Sequence, residues 1–313
     1  MITSNKDTSR HDLSRMMITV DQYIYVISGY KTTTLQSVER LNLNKGIWQE
    51  VSEVNIARTK FGSFSVKGLK IYLLGGKLLD GSRTDLIEEY DVKSDEWSMS
   101  KYTLPSARSG FSNVLINDNQ LMVVGGNDGQ VLNRMDLLNL KTGVWSEMPS
   151  MHTKRDELSI AIGPDGKVYA IGGYGGSDST CLKSVERFNF QTGEWEKIAD
   201  MNVPRRALAA VSLPDGVYAI GGYNGTKYLS SMERYDEAQN KWIKCAEMNS
   251  PRCTLSAVSS NDCQYIYTMG GFDGSYMDVV ERYDHVHDSW DYVTPMMTSR
   301  FMHSSCIVNI IRK

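Results

Sequence analysis

Little in this chain points to chemistry at a single centre. Its 313 residues include five histidines, His11, His152, His285, His287 and His303. His285 and His287 flank Val286 shortly before Trp290 with no cysteine or carboxylate set around them, the pattern of solvated turn residues rather than a metal site. No GxSxG elbow, HExxH pair or phosphate-cradling glycine loop is present. Neighbouring carboxylates such as Asp156-Glu157 occur, but adjacent positions on a strand point to opposite faces. These gaps argue against an enzyme, a cofactor and a bound metal. The five cysteines, Cys181, Cys245, Cys253, Cys263 and Cys306, form no CxxC pair, and an odd, scattered set fits a reducing compartment. No apolar run reaches membrane-spanning length, and the first 15 residues hold Asp7 and Asp12 without a signal-peptide core. Cytoplasm is the expected localisation. A net charge of −3, with Lys and Arg spread along the chain, offers no basic face to nucleic acid or membrane.

What the chain does have is repetition. Its six tryptophans, Trp48, Trp97, Trp145, Trp195, Trp242 and Trp290, lie 49, 48, 50, 47 and 48 residues apart. Nine positions before each stands an acid: Glu39, Glu88, Asp136, Glu186, Glu233 and Glu281. Upstream of each acid lies a glycine pair, from Gly75-Gly76 to Gly270-Gly271, with Ser28-Gly29 a degraded first copy. Six positions after each tryptophan come Val54, Thr103, Met151, Met201, Met248 and Met296. Four or five residues further stands an arginine: Arg58, Arg108, Arg155, Arg205, Arg252 and Arg300. A period near 50 residues means one supersecondary unit that cannot bury its apolar face alone.

The fourth unit shows what the repeat builds. Leu158 to Ile162 is apolar or small, Gly163-Pro164-Asp165-Gly166 is turn chemistry, and Val168 to Ile171 is a buried-looking strand that stops at Gly172-Gly173. Ser184 to Phe190 alternates with strand period, Thr192-Gly193 turns, and Glu194 to Ile198 closes the unit. The expectation is all-β: four short antiparallel strands per unit and no helical periodicity. Small residues in Ala207 to Val211 suit a strand squeezed toward a central axis, and six radial sheets leave only short, protected edges.

The string of glycine pair, then Val185-Glu186-Arg187-Phe188, Met232-Glu233-Arg234-Tyr235 or Val280-Glu281-Arg282-Tyr283, then Trp, then Met and Arg, resembles the kelch repeat. The likeness runs over residues 16 to 310 in six copies; Ser28 and the aromatic-less Met135-Asp136-Leu137-Leu138 are its departures. It implies a six-bladed β-propeller with four antiparallel strands per blade, blade 1 closed by the C-terminal strand. Residues 16–313 then form one domain, and residues 1–15 are expected to be a mobile N-terminal segment. Arg300 to Ile310 is the expected closing strand, and Ser14 to Val20 competes for that slot.

Features shared by all copies define the blade; function belongs where copies disagree. The residues after each glycine pair are Tyr30, Lys77, Asn127, Tyr174, Tyr223 and Phe272. Those after each repeat arginine include Lys60, Asp156, Glu157, Arg206, Cys253 and Phe301. In a propeller both sets open on one end of the channel, and in the kelch-type substrate adaptors that this chain resembles these motif positions form the peptide-binding surface. Tyr174, Tyr223, Phe272 and Tyr30, reinforced by Tyr228, Tyr276 and Phe301, predict an aromatic arc over four adjacent blades. Lys60, Lys77, Arg83, Arg206 and Lys227 are expected to face Asp128, Asp156, Glu157, Asp178 and Asp273 across the rim. The expected function is non-enzymatic binding of a peptide or loop of another protein, with no nucleic acid and no membrane. The resemblance extends this to substrate recognition for a ubiquitin ligase, where any cullin-type contact runs through a domain not present in this chain. The runner-up is a propeller enzyme or sugar-binding protein of the kelch-like oxidase type.

Overall fold

The computed structural model of the chain describes residues 19–66, 69–176 and 180–312. Among them, strands form six four-stranded antiparallel sheets. The inner strands of neighbouring sheets touch in a closed ring, so the sheets are the blades of a propeller. In blade 4 the strands are Ser159–Ile162, Val168–Ile171, Val185–Asn189 and Glu194–Ile198, as the turn residues predict. Gly163 donates its N–H to Lys167 O at 2.9 Å and Gly166 sits at φ +74°, which gives the first turn its glycine requirement. The second strand is buried on both faces, whereas the outer strand buries its tryptophan and exposes the residues beside it. Apolar surface therefore lies between blades.

Three polar devices stitch each blade to the next. Each arginine is fully buried and reaches into the following blade: Arg155 pairs with Glu186 at 2.9 Å and donates to Gly172 O and Ser184 O, both at 2.8 Å. Its own carbonyl accepts from the second glycine of the preceding blade, Gly126, at 2.8 Å. The acid in turn accepts the N–H groups of His152 and Thr153, so a buried charge pair is also fully hydrogen-bonded on the acid side. Each tryptophan Nε1–H donates backwards, Trp195 to Pro149 O at 2.8 Å and Trp48 to Thr294 O at 2.9 Å. The Arg300–Glu39 pair, 2.6 Å, carries the same contact across the two ends of the chain.

Ring closure falls to the C-terminal strand. Ser304–Arg312 is the inner strand of blade 1 and pairs with Thr19–Ile27 from Ile27↔Ser304 to Thr19↔Arg312. Thr19 and Val20 extend the second strand, so the described part of the competing segment does not occupy the inner slot; Ser14 to Ile18 lie outside the described residues, as does the segment 1–15 expected to be mobile.

Two local readings need correction. In blade 2 the apolar position below the glycine pair is Leu104, buried against Gly75, while Thr103 is exposed. A register shift between Leu86 and Glu88 lengthens the outer strand, Glu96–Thr103, so that the apolar position falls seven residues after Trp97 instead of six. With Leu104 in place the spacing to the repeat arginine is four residues in every copy. The inner strand of blade 5 starts at Ala209, because Ala207 is left-handed at φ +51°. Ser28, standing where other copies have glycine, is also left-handed, φ +52°. Its hydroxyl lies 2.8 Å from Leu35 O and 2.9 Å from Arg58 O, which offsets the conformational cost.

Candidate functional site

Each blade presents three side chains at one end of the ring, and the backbone sets them. The residue after the glycine pair makes single β-bridges to the residue after the repeat arginine and to a later residue of its own loop. Tyr30 thus lies between Phe301 and Thr34, Lys77 between Thr59 and Arg83, Asn127 between Ser109 and Val131. Tyr174 lies between Asp156 and Cys181, Tyr223 between Arg206 and Tyr228, Phe272 between Cys253 and Tyr276. The expected rim residues Tyr30, Lys77, Asn127, Asp156, Tyr174, Arg206, Tyr223, Tyr228, Phe272, Tyr276 and Phe301 all take part in these bridges.

Inside these triplets runs a closed girdle that sequence reasoning missed. The second residue after each arginine, Lys60, Gly110, Glu157, Ala207, Thr254 and Met302, has a left-handed φ between +50° and +66°. Their N–H groups donate in a circle: Lys60 to Met302, Gly110 to Lys60, Glu157 to Gly110, Ala207 to Glu157, Thr254 to Ala207 and Met302 to Thr254, at 2.7–3.2 Å. The channel mouth therefore spends these N–H groups on itself, which leaves side chains as the polar groups it offers. Below it, Phe61, Phe111, Leu158, Leu208, Leu255 and His303 line the wall.

One side of the mouth is aromatic. Ring centroids run Tyr223–Tyr228 at 5.5 Å, Tyr228–Phe272 at 5.6 Å, Phe272–Phe301 at 5.2 Å and Phe301–Tyr30 at 5.6 Å, with Tyr276 stacked on Phe301 at 5.6 Å. Tyr174 joins through Arg206, whose guanidinium lies over Tyr174 at 5.9 Å and Tyr223 at 5.3 Å. The rings are half-buried, except the exposed Tyr276. Part of their work is local: Tyr30, Tyr174 and Tyr223 donate their hydroxyls to Thr32 O, Gly176 O and Gly225 O in their own loops.

The other side is polar. Lys60 Nζ sits 2.5 Å from Glu157 Oε1, crossing from blade 2 to blade 4 over Gly110, and Glu157 Oε2 lies 3.8 Å from Arg206 Nε. Arg83 Nη2 donates to Asn127 Oδ1 at 2.6 Å, and Asn127 Nδ2 to Asp156 Oδ2 at 3.5 Å. Burial, then the neighbouring Glu157 charge, push Asp156 up to about 6. Lys77 is exposed. Of the acids expected opposite these cations, Asp128 and Asp273 instead accept N–H groups of their own loops, from Gln130 and Ser275, and Asp178 lies outside the described residues.

The histidines stand apart. His285 Nδ1 is 3.9 Å from Asp215, and His287 Nδ1 is 2.9 Å from Asp284, near the opposite end of the blades. His303 is buried with Nε2 2.9 Å from Ser256 Oγ; burial and the charges of Arg300 and Arg252 push it down to about 3, so it is neutral. Among the described residues no group of three or more His, Cys, Asp or Glu is placed to hold a metal.

A family model described as the KLHDC2/KLHL20/DRC7 Kelch-repeats domain matches residues 1–173 and again 147–310. The chain belongs to the kelch-repeat family. Among similar kelch proteins, Kelch-like protein 35 of Mus musculus is 29% identical over 158 residues, 50% of this chain and 26% of that protein. Kelch repeat and BTB domain-containing protein 1 of Cowpox virus (strain GRI-90 / Grishak) is 27% identical over 143 residues, 43% of this chain and 24% of the relative. Kelch-like protein 40 of Xenopus tropicalis is 34% identical over 113 residues, 35% of this chain and 18% of the relative. The matches thus span about a quarter or less of these kelch relatives' lengths.

Proposed function

We propose that this kelch propeller is a non-enzymatic binding module that takes a peptide or loop of another protein across its channel mouth. The supporting observation is the unbroken run of rings from Tyr223 through Tyr228, Phe272 and Phe301 to Tyr30, open to solvent beside a girdle with no spare N–H. Aromatic side chains supply large contact area at little conformational cost and anchor protein interfaces. The names of its relatives extend the reading: one is a kelch repeat and BTB domain-containing protein, so we also propose substrate recognition for a cullin-type ubiquitin ligase as this chain's role. That ligase contact would be made by another domain.

The test is affinity capture with mass spectrometry, comparing the wild type with the Y174A/Y223A/F272A variant. The variant is expected to stay folded, with a cooperative though somewhat lowered melting transition, and lose the captured partners, each true anchor costing at least about 2 kcal/mol of binding. Partners retained by a folded variant would contradict the rim as the binding surface. A collapsed melting transition would make those rings structural.

A further inference from the structure

A second concavity adjoins the arc on the flank of blade 5. It has a volume of about 550 Å³ and lies between the loop Asn224–Leu229 and the linker through Asn202 and Val203. That is ample for one or more side chains of a bound segment. Tyr228 lines both this cleft and the arc, where it sits 5.6 Å from Phe272, so the two surfaces are continuous. Val203 and Leu229 give the cleft apolar walls.

Charge inside it is unbalanced. Arg205, Lys227 and Lys244 oppose Glu233 and Glu247, three cations against two anions, a net +1. Four of the five are committed: Arg205 to Glu233 at 2.9 Å, and Lys244 to Glu247 at 2.8 Å. Glu247 also accepts from Ser230 Oγ at 2.7 Å. Lys227 is exposed; among the described residues no carboxylate lies within ion-pair distance of its ammonium, and Glu247, which feels its charge, is bonded instead by Lys244.

We infer that the blade 5 cleft is a specificity subsite for a partner segment that places an apolar side chain between Tyr228 and Leu229 and a carboxylate on Lys227. This rests on the rim reading above, because the segment reaches the cleft over the arc. The apolar walls set the first requirement and the exposed ammonium the second; a basic residue there would add to the cleft's excess of cations.

Random peptides displayed on phage and selected on the whole wild-type chain supply the probes. The selected sequences are expected to share an acidic residue next to a large apolar one. K227E, which reverses the charge, and S230F, which fills the cleft, should each weaken them about tenfold, with melting transitions confirming folding. K141Q, an exposed lysine on blade 3, should change nothing. Peptides that ignore K227E and S230F but are lost with Y223A/F272A would overturn the cleft and leave the rim standing. Peptides indifferent to both sets would overturn the two together, and selection of basic sequences would overturn the carboxylate.

Discussion

Blades 5, 6 and 1 carry the same girdle and the same bridge triplets as blades 2 and 3, yet their mouths have opposite chemistry. On one side rings touch rings, from Tyr223 to Tyr30. On the other, Lys77, Arg83 and Asn127 stand at the equivalent places, with Lys60 reaching across Gly110 to Glu157. Because girdle and bridges are the same on both sides, the difference at the mouth is one of side chains. Repetition supplies position; divergence supplies the chemistry presented there.

The comparison can be broken first at the scaffold. Trp195→Ala removes a buried ring and its hydrogen bond to Pro149 O, and should destabilise the fold by about 3–5 kcal/mol in urea unfolding. Both sides of the mouth should weaken together. Loss of peptide binding by a protein of unchanged stability would deny that the tryptophans are structural.

A smaller effect separates the sides. Gly110 is left-handed at φ +66°, and a Cβ there would collide with the Asp156 carboxylate. Gly110→Ala should cost about 1–3 kcal/mol through strain and displacement of Asp156, while the arc keeps its ring contacts. Unfolding free energy and tyrosine fluorescence would show it. An unaffected G110A protein would mean that the polar side tolerates a side chain in the girdle.

Acid sharpens the same contrast. Asp156 titrates near 6 in the folded chain, above its ordinary value of 3.8. Folding therefore takes up a proton between those values, so its contribution is fully present below about pH 4 and lost as pH rises through 6. Wild type minus Asp156→Asn stability should fall by roughly 1–3 kcal/mol between pH 4.5 and 7.5. A flat difference would place Asp156 in water. Tyr223→Phe is the mildest change on the aromatic side: it loses the hydroxyl bond to Gly225 O, about 0.5–1.5 kcal/mol of stability, and should leave peptide affinity intact. A matching loss of affinity would transfer recognition from the ring to the hydroxyl.

Much of this was legible in the sequence because it is written six times. Trp, acid, arginine and glycine pair each occupy a position that every blade needs, and the rim could be located by asking where copies differ. The girdle was not legible. Left-handed backbone at Lys60, Glu157, Ala207, Thr254 and Met302 has no residue signature, and only Gly110 hinted at it. The bulge that moves the blade 2 apolar position from Thr103 to Leu104 was hidden because a one-residue insertion shifts register without altering composition. Likewise, the pairing of Lys60 with Glu157 skips a blade, past a Gly110 that carries no side chain, and no repeat spacing points to it. The blade 5 cleft arises where a loop packs near the linker that enters the same blade, and no repeat rule points to it.

Hydrogen–deuterium exchange on the wild-type chain, with and without a phage-selected peptide, tests the asymmetry of the mouth most directly. Protection should appear in the loops holding Tyr30–Thr34, Tyr223–Tyr228 and Phe272–Tyr276. The loops holding Lys77–Arg83 and Asn127–Val131 should exchange as before. Protection confined to those polar loops, or to the turns holding His285 and His287, would contradict the aromatic side as the place where a partner lands.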